Sequence, residues 1–277
     1  TEDTPTAGTL SASDGDGDDL TYSIVTQGTK GTVTINNAAT GEYTYTPNAN
    51  ATGADSFTFK VNDGKADSNI ATITVTITEV NDDPIIVKNT GKTIVEGAEG
   101  SITSSELQTS DVDTAAENLT YKLTAVPANG LLKKDGTTLE VDDTFTQADL
   151  DGNLISYAHD GSETVTDSFS FTVSDGAGGS IGEMTFNITI NPVNDAPTLT
   201  SVSILSGAWE DTEYTIYYDD LAAAADETDA EMDSISFIVQ DVSSGLLVKD
   251  GSPVVLGTTT LESGESFVWK PEANKNG

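Results

Sequence analysis

The chain has 277 residues, 46 acidic against 11 basic side chains, a formal charge of −35 and no cysteine. Such a charge repels nucleic-acid phosphates and anionic membrane surfaces, and without thiols there is no disulfide framework, zinc–thiolate site or cysteine nucleophile. No apolar run approaches the roughly 20 residues of a membrane-spanning helix, so neither nucleic-acid binding nor membrane insertion is expected.

Read from the amino end, the chain starts at Thr1, no natural start, and so reads as a segment of a longer protein. Glu2 is followed by SDGDGDDLTYSI, in which Asp14, Asp16, Asp18 and Asp19 precede an alternating Leu20, Tyr22, Ile24 strand. DSFTFKVNDG at 55–64 alternates Phe57, Phe59 and Val61 on one face, the pattern of a half-buried strand. Ile73, Val75 and Ile77 then alternate with Thr72, Thr74 and Thr76, and Val80-Asn-Asp-Asp-Pro84 closes the unit. Pro84 cannot donate to a strand ladder, so it ends pairing and stiffens the link.

The same phrases return. Glu96 follows a strand. SDVDTAAENLTYKL carries Asp111 and Asp113 before Leu119, Tyr121 and Leu123. DSFSFTVSDG at 167–176 repeats the Phe-x-Phe-x-Val strand. Met184, Phe186, Ile188 and Ile190 alternate, and Val193-Asn-Asp-Ala-Pro197 follows. A third copy has Glu210, then Asp226 and Asp229 before Ile235, Phe237 and Val239. GLLVKDG at 245–251 matches GLLKKDG at 130–136, and PEANKNG at 271–277 matches PNANATG at 47–53. Only LAAAADE at 221–227 reads as a helical turn. Short strands separated by Gly, Asn, Asp and Pro turns predict an all-β array of tandem β-sandwiches forming a rod. Its units are 1–83 without its first strand, 84–196, and 197–277 without its last two strands. Strand edges left open in this way are expected to be poorly ordered or to exchange between chains.

Carboxylates crowd the strand ends and links, and so dense a set of hard oxygen ligands suits calcium. An EF-hand over DGDGDD fails, since Asp19 and Val25 stand where Gly and Glu are required. The Gly-Gly-x-Gly-x-Asp repeat of a calcium β-roll is missing too. The pattern resembles the cadherin-like repeats of large bacterial surface adhesins of the RTX type. It does so through the early glutamates 2, 96 and 210, the Asp-x-Asp at 14/16 and 111/113, the Val-x-Asp-Gly at 61–64 and 173–176, and the Val-Asn-Asp-x-Pro linkers. Residues 145–176 make the middle unit similar to chondroitin sulfate proteoglycan repeats. The resemblance implies immunoglobulin-like, cadherin-like sandwiches with Ca2+ between neighbouring repeats. Its ligands at the first junction would be Glu2, Asp55, Asn81, Asp82, Asp111, Asp113 and Asp175. At the second they would be Glu96, Asp167, Asn194, Asp195, Asp226 and Asp229. Asp14, Asp16 and Asp63 hold the matching positions of the first unit. The linker is less acidic than in animal cadherins, and the Asp-Arg-Glu motif is missing, with Asp55 and Asp167 standing in for it by position.

The implied function is mechanical: a calcium-stiffened extender of an extracellular, secreted or cell-surface adhesin in cell adhesion, and no enzyme. Its rivals are a calcium-dependent carbohydrate-binding or homophilic module contacting a glycan or cell-surface ligand, and accessory repeats of a large secreted enzyme. The bland account of each Asp-Gly is turn chemistry. His159 in SYAHDGSE reads as a turn residue, since no nucleophile elbow accompanies it. Asp149 and Asp151 in ADLDGN form a candidate extra calcium loop. Trp209 and Trp269, with Tyr214, Tyr217 and Tyr218, form either a sugar platform or core packing, and the alternation around Trp269 favours the core.

Overall fold

The computed structural model describes residues 1–273; residues 274–277, and with them the second half of the PEANKNG match, lie outside the described residues. Strands take 45% of the residues and helix 4%, which makes the chain an all-β sandwich protein. It divides into two compact units. The first comprises Thr1–Lys92, Glu99–Ala158 and Asp167–Ile188; the second comprises Thr93–Ala98, His159–Thr166 and the chain from Thr189 onward.

The amino-terminal sandwich has β1 (Thr6–Thr9), β2 (Thr21–Thr26), β3 (Gly31–Asn37), β4 (Glu42–Pro47), β5 (Gly53–Asn62) and β6 (Ala71–Ile77). They form two antiparallel sheets, β1-β4-β3 and β2-β5-β6. Period-two alternation turns Phe57, Phe59 and Val61 of β5 inward, where they pack with Leu10, Tyr22, Val33, Tyr45 and Ile77. Register puts Phe57 opposite Ile73 and Tyr22 opposite Val61. Each large apolar side chain so buried contributes about 1.5–3 kcal/mol.

The middle stretch continues with β7 (Ile85–Asn89), β8 (Lys92–Val95), β9 (Glu99–Ile102), β10 (Leu107–Ser110), β11 (Thr120–Ala125), β12 (Gly130–Lys134), β13 (Thr137–Thr138) and β14 (Thr144–Thr146). Helix α1 (Gln147–Asp151), β15 (Ile155–His159), β16 (Thr166–Ser174) and β17 (Ser180–Asn191) complete it. The sheets run β14-β11-β16-β17-β8 and β13-β12-β15-β9, with β10-β7 as a pair. Tyr121 stacks on Phe145 at 4.8 Å and Phe169 on Phe186 at 5.1 Å.

Carboxy-terminal to it lie β18 (Tyr214–Tyr217), α2 (Tyr218–Ala224), β19 (Phe237–Ile238), β20 (Leu246–Lys249), β21 (Ser252–Pro253), β22 (Thr260–Leu261) and β23 (Ser266–Lys270). Leu247, Leu261 and Phe267 form a small core with Ile216, Tyr218, Phe237 and Trp269 against it.

Two helices differ from expectation. α2 begins before Leu221 because the Asp220 carboxylate accepts the Tyr217 N–H at 3.0 Å and closes the first turn. ADLDGN is no open loop but α1. A reciprocal cap joins Thr146 and Asp149 there, Lys134 pairs with Asp149 at 2.6 Å, and Gln147 donates to Asp151 at 2.9 Å. Asp149 is thus engaged by the cap and by Lys134, while Asp151 holds Gln147 through one oxygen. Trp269 belongs to the core side. Its indole N–H donates to Ser244 O at 3.1 Å, and it lies so close over Gly245 that a Cβ there would sit 2.7 Å from Nε1. Tyr45 covers Gly31 and Tyr157 covers Gly130 in the same manner, at 2.4 and 2.6 Å from a would-be Cβ. Trp209 is the exposed one, at 77%.

Candidate metal centres

The first linker is tied down by backbone bonds that leave carboxylates facing inward. Glu2 N donates to Thr78 O at 2.9 Å, and Glu2 Oε1 accepts the Val80 N–H at 2.7 Å. Asp82 N donates to Asp113 Oδ2 at 2.8 Å. Asp111 Oδ1 accepts from Asp113 N and Thr114 N, both at 2.8 Å, an Asx turn that aims Asp113 at the linker. Asn81 Nδ2 bridges Asp82 O and Asp175 Oδ2 at 2.9 and 2.7 Å. Asp175 Oδ1 takes three backbone N–H groups from Ala177, Gly178 and Gly179. Gly179 must be glycine here: a Cβ would lie 2.3 Å from Asp175 Oδ2 and 2.9 Å from Asp82 O.

Once these bonds are made, Glu2 Oε2, Asp82 Oδ2 and Asp111 Oδ2 remain buried with no partner. Partial burial, then the charges of Asp113, Asp3, Glu2 and Asp111, push the Asp82 carboxyl above the usual carboxylate range. The Asn81 amide and the three N–H donors instead hold Asp175 below it.

The second cluster repeats the backbone scheme within the second unit. Glu96 N donates to Asn191 O at 2.9 Å, and Glu96 Oε2 accepts Val193 N–H at 3.0 Å. Asp195 N donates to Glu231 Oε1 at 2.7 Å, and Asn194 Nδ2 to Asp195 O at 2.8 Å. Asp229 Oδ1 accepts Asp233 N–H at 2.8 Å. Carboxylate oxygens of Glu96, Glu163 and Asp195 lie within 4.8 Å of one another, the one such trio among the described residues. Glu231 Oε2 is buried and unpartnered, as is Glu227 Oε2. Partial loss of solvent around the exposed Glu163, then the charges of Glu96, Glu231, Asp195 and Asp229, push its carboxyl up. No described lysine pairs with a carboxylate of either cluster.

Several expected ligands are placed elsewhere. Asp55 is a clamp inside its own sandwich. Tyr45 OH at 2.6 Å, Thr29 N at 2.9 Å and Lys30 N at 3.1 Å occupy it. Burial pushes it up, but the Tyr45 hydroxyl and the N–H groups outweigh that and hold it at about 2. Asp167 does the same work with Tyr157 OH at 2.8 Å and the Ala128 and Asn129 N–H groups at 3.0 Å. Asp226 is held by Thr200 and Ser201, whose hydroxyls and N–H groups push it far down. The pair matching Asp111 and Asp113 is therefore Asp229 and Glu231, not Asp226 and Asp229, because Glu231 receives the linker N–H that Asp113 receives in the first cluster. Asp14 accepts three N–H groups, from Asp16, Gly17 and Asp18. Asp63 accepts two, from Lys65 and Ala66. Both are turn formers here, and Asp16 lies within the Asp14 turn. Glu163 and Glu231 escaped the sequence reading. Ala51 occupies Glu163's place in the first repeat, counting back from Asp55 and Asp167, so no recurrence marked it.

An all-oxygen donor set with buried, unpartnered carboxylate atoms and no lysine fits a hard divalent cation, calcium before any soft metal. The comparisons agree with the fold. Residues 84–190 match a family described as cadherin-like, and residues 1–76 one described as a bacterial Ig domain. The human extracellular matrix organizing protein FRAS1 is 37% identical over 125 residues, 44% of this chain and 3% of that protein. Human chondroitin sulfate proteoglycan 4 is 36% identical over 148 residues, 52% of this chain and 6% of that protein. The chain thus spans a small fraction of the relatives it matches. Among solved structures, human CDH23 EC21-23 superposes with a TM-score of 0.52 at 18% identity, covering 93% of this chain and 87% of that one, a likeness of fold. No described helix is long and apolar enough to cross a membrane.

Proposed function

We propose that the chain is a stretch of three successive cadherin-like repeats, 1–83, 84–196 and 197–277, in an extracellular adhesion protein, and that it works as a calcium-stiffened extender of the bacterial adhesin type. The observation that carries this is the set of buried, unpartnered oxygens of Glu2, Asp82 and Asp111 around the first linker, where the charges of Glu2 and Asp111 help to raise the Asp82 carboxyl. Burying uncompensated carboxylates is unfavourable, so a cation that binds the gathered arrangement stabilises it over a loosened linker. In the first cluster Glu2, Asp82, Asp111, Asp113 and Asp175 would hold the ion, with Asn81 orienting Asp175. In the second, Glu96, Glu163, Asp195, Asp229 and Glu231 would do so. The ion supplies positive charge; the chain supplies the backbone bonds that aim the ligands. The extracellular-matrix relatives support placing the chain outside the cell. The partners of this reading are calcium, neighbouring repeats of the same chain and a glycan or cell-surface ligand.

Small-angle X-ray scattering with calcium and then with a chelator tests it. A maximum dimension that shortens on chelation, with a broader spread of conformations, is the expected result. An unchanged profile would remove the extender mechanism.

A further inference from the structure

We infer that His159 is the positioning residue of the second cluster, a neutral staple that aims Glu96 and Glu163 together; the inference rests on reading that cluster as a cation site. His159 ends β15 and is 6% exposed. Its Nδ1 accepts the Gly97 N–H at 3.1 Å and the Gly161 N–H at 3.3 Å, and its Nε2 lies 3.0 Å from Thr164 Oγ1. A ring nitrogen that accepts two N–H groups carries no proton, so the proton of the neutral ring is on Nε2 and is donated to Thr164. Gly97 directly follows Glu96. Gly161 and Thr164 bracket Glu163. One imidazole therefore fixes the turn that carries one ligand and the loop that carries another. Gly97 and Gly161 have φ of +65° and +84°, the left-handed backbone that presents both N–H groups to the ring at no steric cost to glycine.

The first repeat solves the same problem with charge. Asp3 follows Glu2 as Gly97 follows Glu96, it too has positive φ, 54°, and its Oδ1 accepts the Asn50 N–H at 3.2 Å. That ties the Glu2 turn to the loop matching 160–164. Pro47 stands in the position of His159. The Asp3 carboxylate adds to the negative field on Asp82. The second cluster already holds Glu96, Glu163, Asp195, Asp229 and Glu231, and a sixth carboxylate would repel them all. A neutral acceptor makes the tie without that repulsion. The repeat that carries Glu163 is the one whose tie is an imidazole, with the Asp160 carboxylate 3.7 Å from its Nε2.

The test uses the full chain, isotopically labelled, with calcium chloride as the probe and both clusters followed by NMR and calorimetry. His159→Phe should weaken calcium at the second cluster by roughly tenfold or more, the usual effect of losing an outer partner of a metal ligand, and leave the first cluster unchanged. His159→Asn should restore binding to within a few-fold, because its Oδ1 takes the place of Nδ1. His159→Gln offers its amide at the Nε2 end and should fail like His159→Phe, which keeps the comparison usable where the phenylalanine variant folds poorly. Equal affinity in wild type, His159→Gln and His159→Phe would overturn the inference. Loss in His159→Asn as great as in His159→Gln would reduce the ring to packing and overturn it too. The staple is also read without calcium. The Gly97 and Gly161 amides should stay protected from hydrogen exchange in His159→Asn and lose protection in His159→Gln, and equal protection in both variants would overturn it. A wild type that binds no calcium while those amides respond as expected would sink the cation reading and leave the staple standing.

Discussion

The two clusters share a skeleton of docking bonds and differ in the carboxylates around it. In both, a glutamate at the start of a repeat holds the linker that follows that repeat, through Glu2 with Thr78 and Val80 and through Glu96 with Asn191 and Val193. In both, the linker aspartate N–H docks on a carboxylate of the next repeat, Asp113 or Glu231. The first cluster then adds Asp175, clamped by Asn81 and three N–H groups, while the second adds Glu163 from a loop. The difference teaches that the same docking bonds can be surrounded by carboxylates from different elements and of different length.

The sharpest way to break this comparison is to disable one cluster and watch the other. Glu2→Gln with Asp111→Asn removes two of the three carboxylates that carry buried unpartnered oxygens in the first cluster. Calcium affinity there should fall roughly a hundredfold, since ligand charge count sets affinity over decades. Calorimetry should still show the second cluster at wild-type strength. A loss of both together would mean that the clusters are one thermodynamic site.

Gly179→Ala comes next. The new Cβ would lie 2.3 Å from Asp175 Oδ2 and must displace it. Affinity at the first cluster should drop about tenfold, with the second cluster untouched. An alanine variant that binds normally would take Asp175 out of the ligand set.

How far the site was legible depends on what recurrence means. Glu2 and Glu96, with the linker residues Asp82 and Asp195, recur together with the same docking bonds, and that recurrence is visible in the sequence. Asp55 and Asp167 recur just as faithfully, but for the Tyr45 and Tyr157 hydroxyls and the loop N–H groups they clamp. Recurrence marks any geometric necessity, whether scaffold or site. Glu163 was invisible for the opposite reason, having Ala51 as its counterpart. In the third repeat the Asp-x-Asp became Asp229-Ala-Glu231, and the nearby Asp226 offered a better match by type while serving Thr200 and Ser201. The strands were legible throughout, since period-two alternation is set by the pleat itself. Helix α1 was not, because five residues carry no period and a Thr–Asp cap has the composition of a turn.

Asp55→Ala separates scaffold from site directly. It strands the Tyr45 hydroxyl and the Thr29 and Lys30 N–H groups, and should cost about 2–3 kcal/mol of stability with no change in calcium affinity. The pH sense follows from the Asp55 value of about 2 against an ordinary 3.8. A depressed carboxyl stabilises the fold fully above its ordinary value and loses that contribution as pH falls through about 2. Acid unfolding in that window should therefore flatten in Asp55→Asn, as followed by circular dichroism. A calcium defect in either variant would return Asp55 to the ligand set.

The smallest expected effect is the most diagnostic, because it changes sign. Glu163 sits above the usual carboxylate range, owing to partial loss of solvent and its acidic neighbours. A raised carboxyl helps the fold while protonated and opposes it as pH rises through its titration. Glu163→Gln removes that opposition. At neutral pH without calcium the variant should melt slightly later than the wild type. With calcium present the order should reverse, because a ligand charge has gone and affinity falls a few-fold. Differential scanning calorimetry with and without chelator reads both arms. A variant that melts earlier in both conditions would make Glu163 part of the scaffold, like Asp55 and Asp167, and would leave the second cluster with the same linker-and-docking core as the first and nothing more.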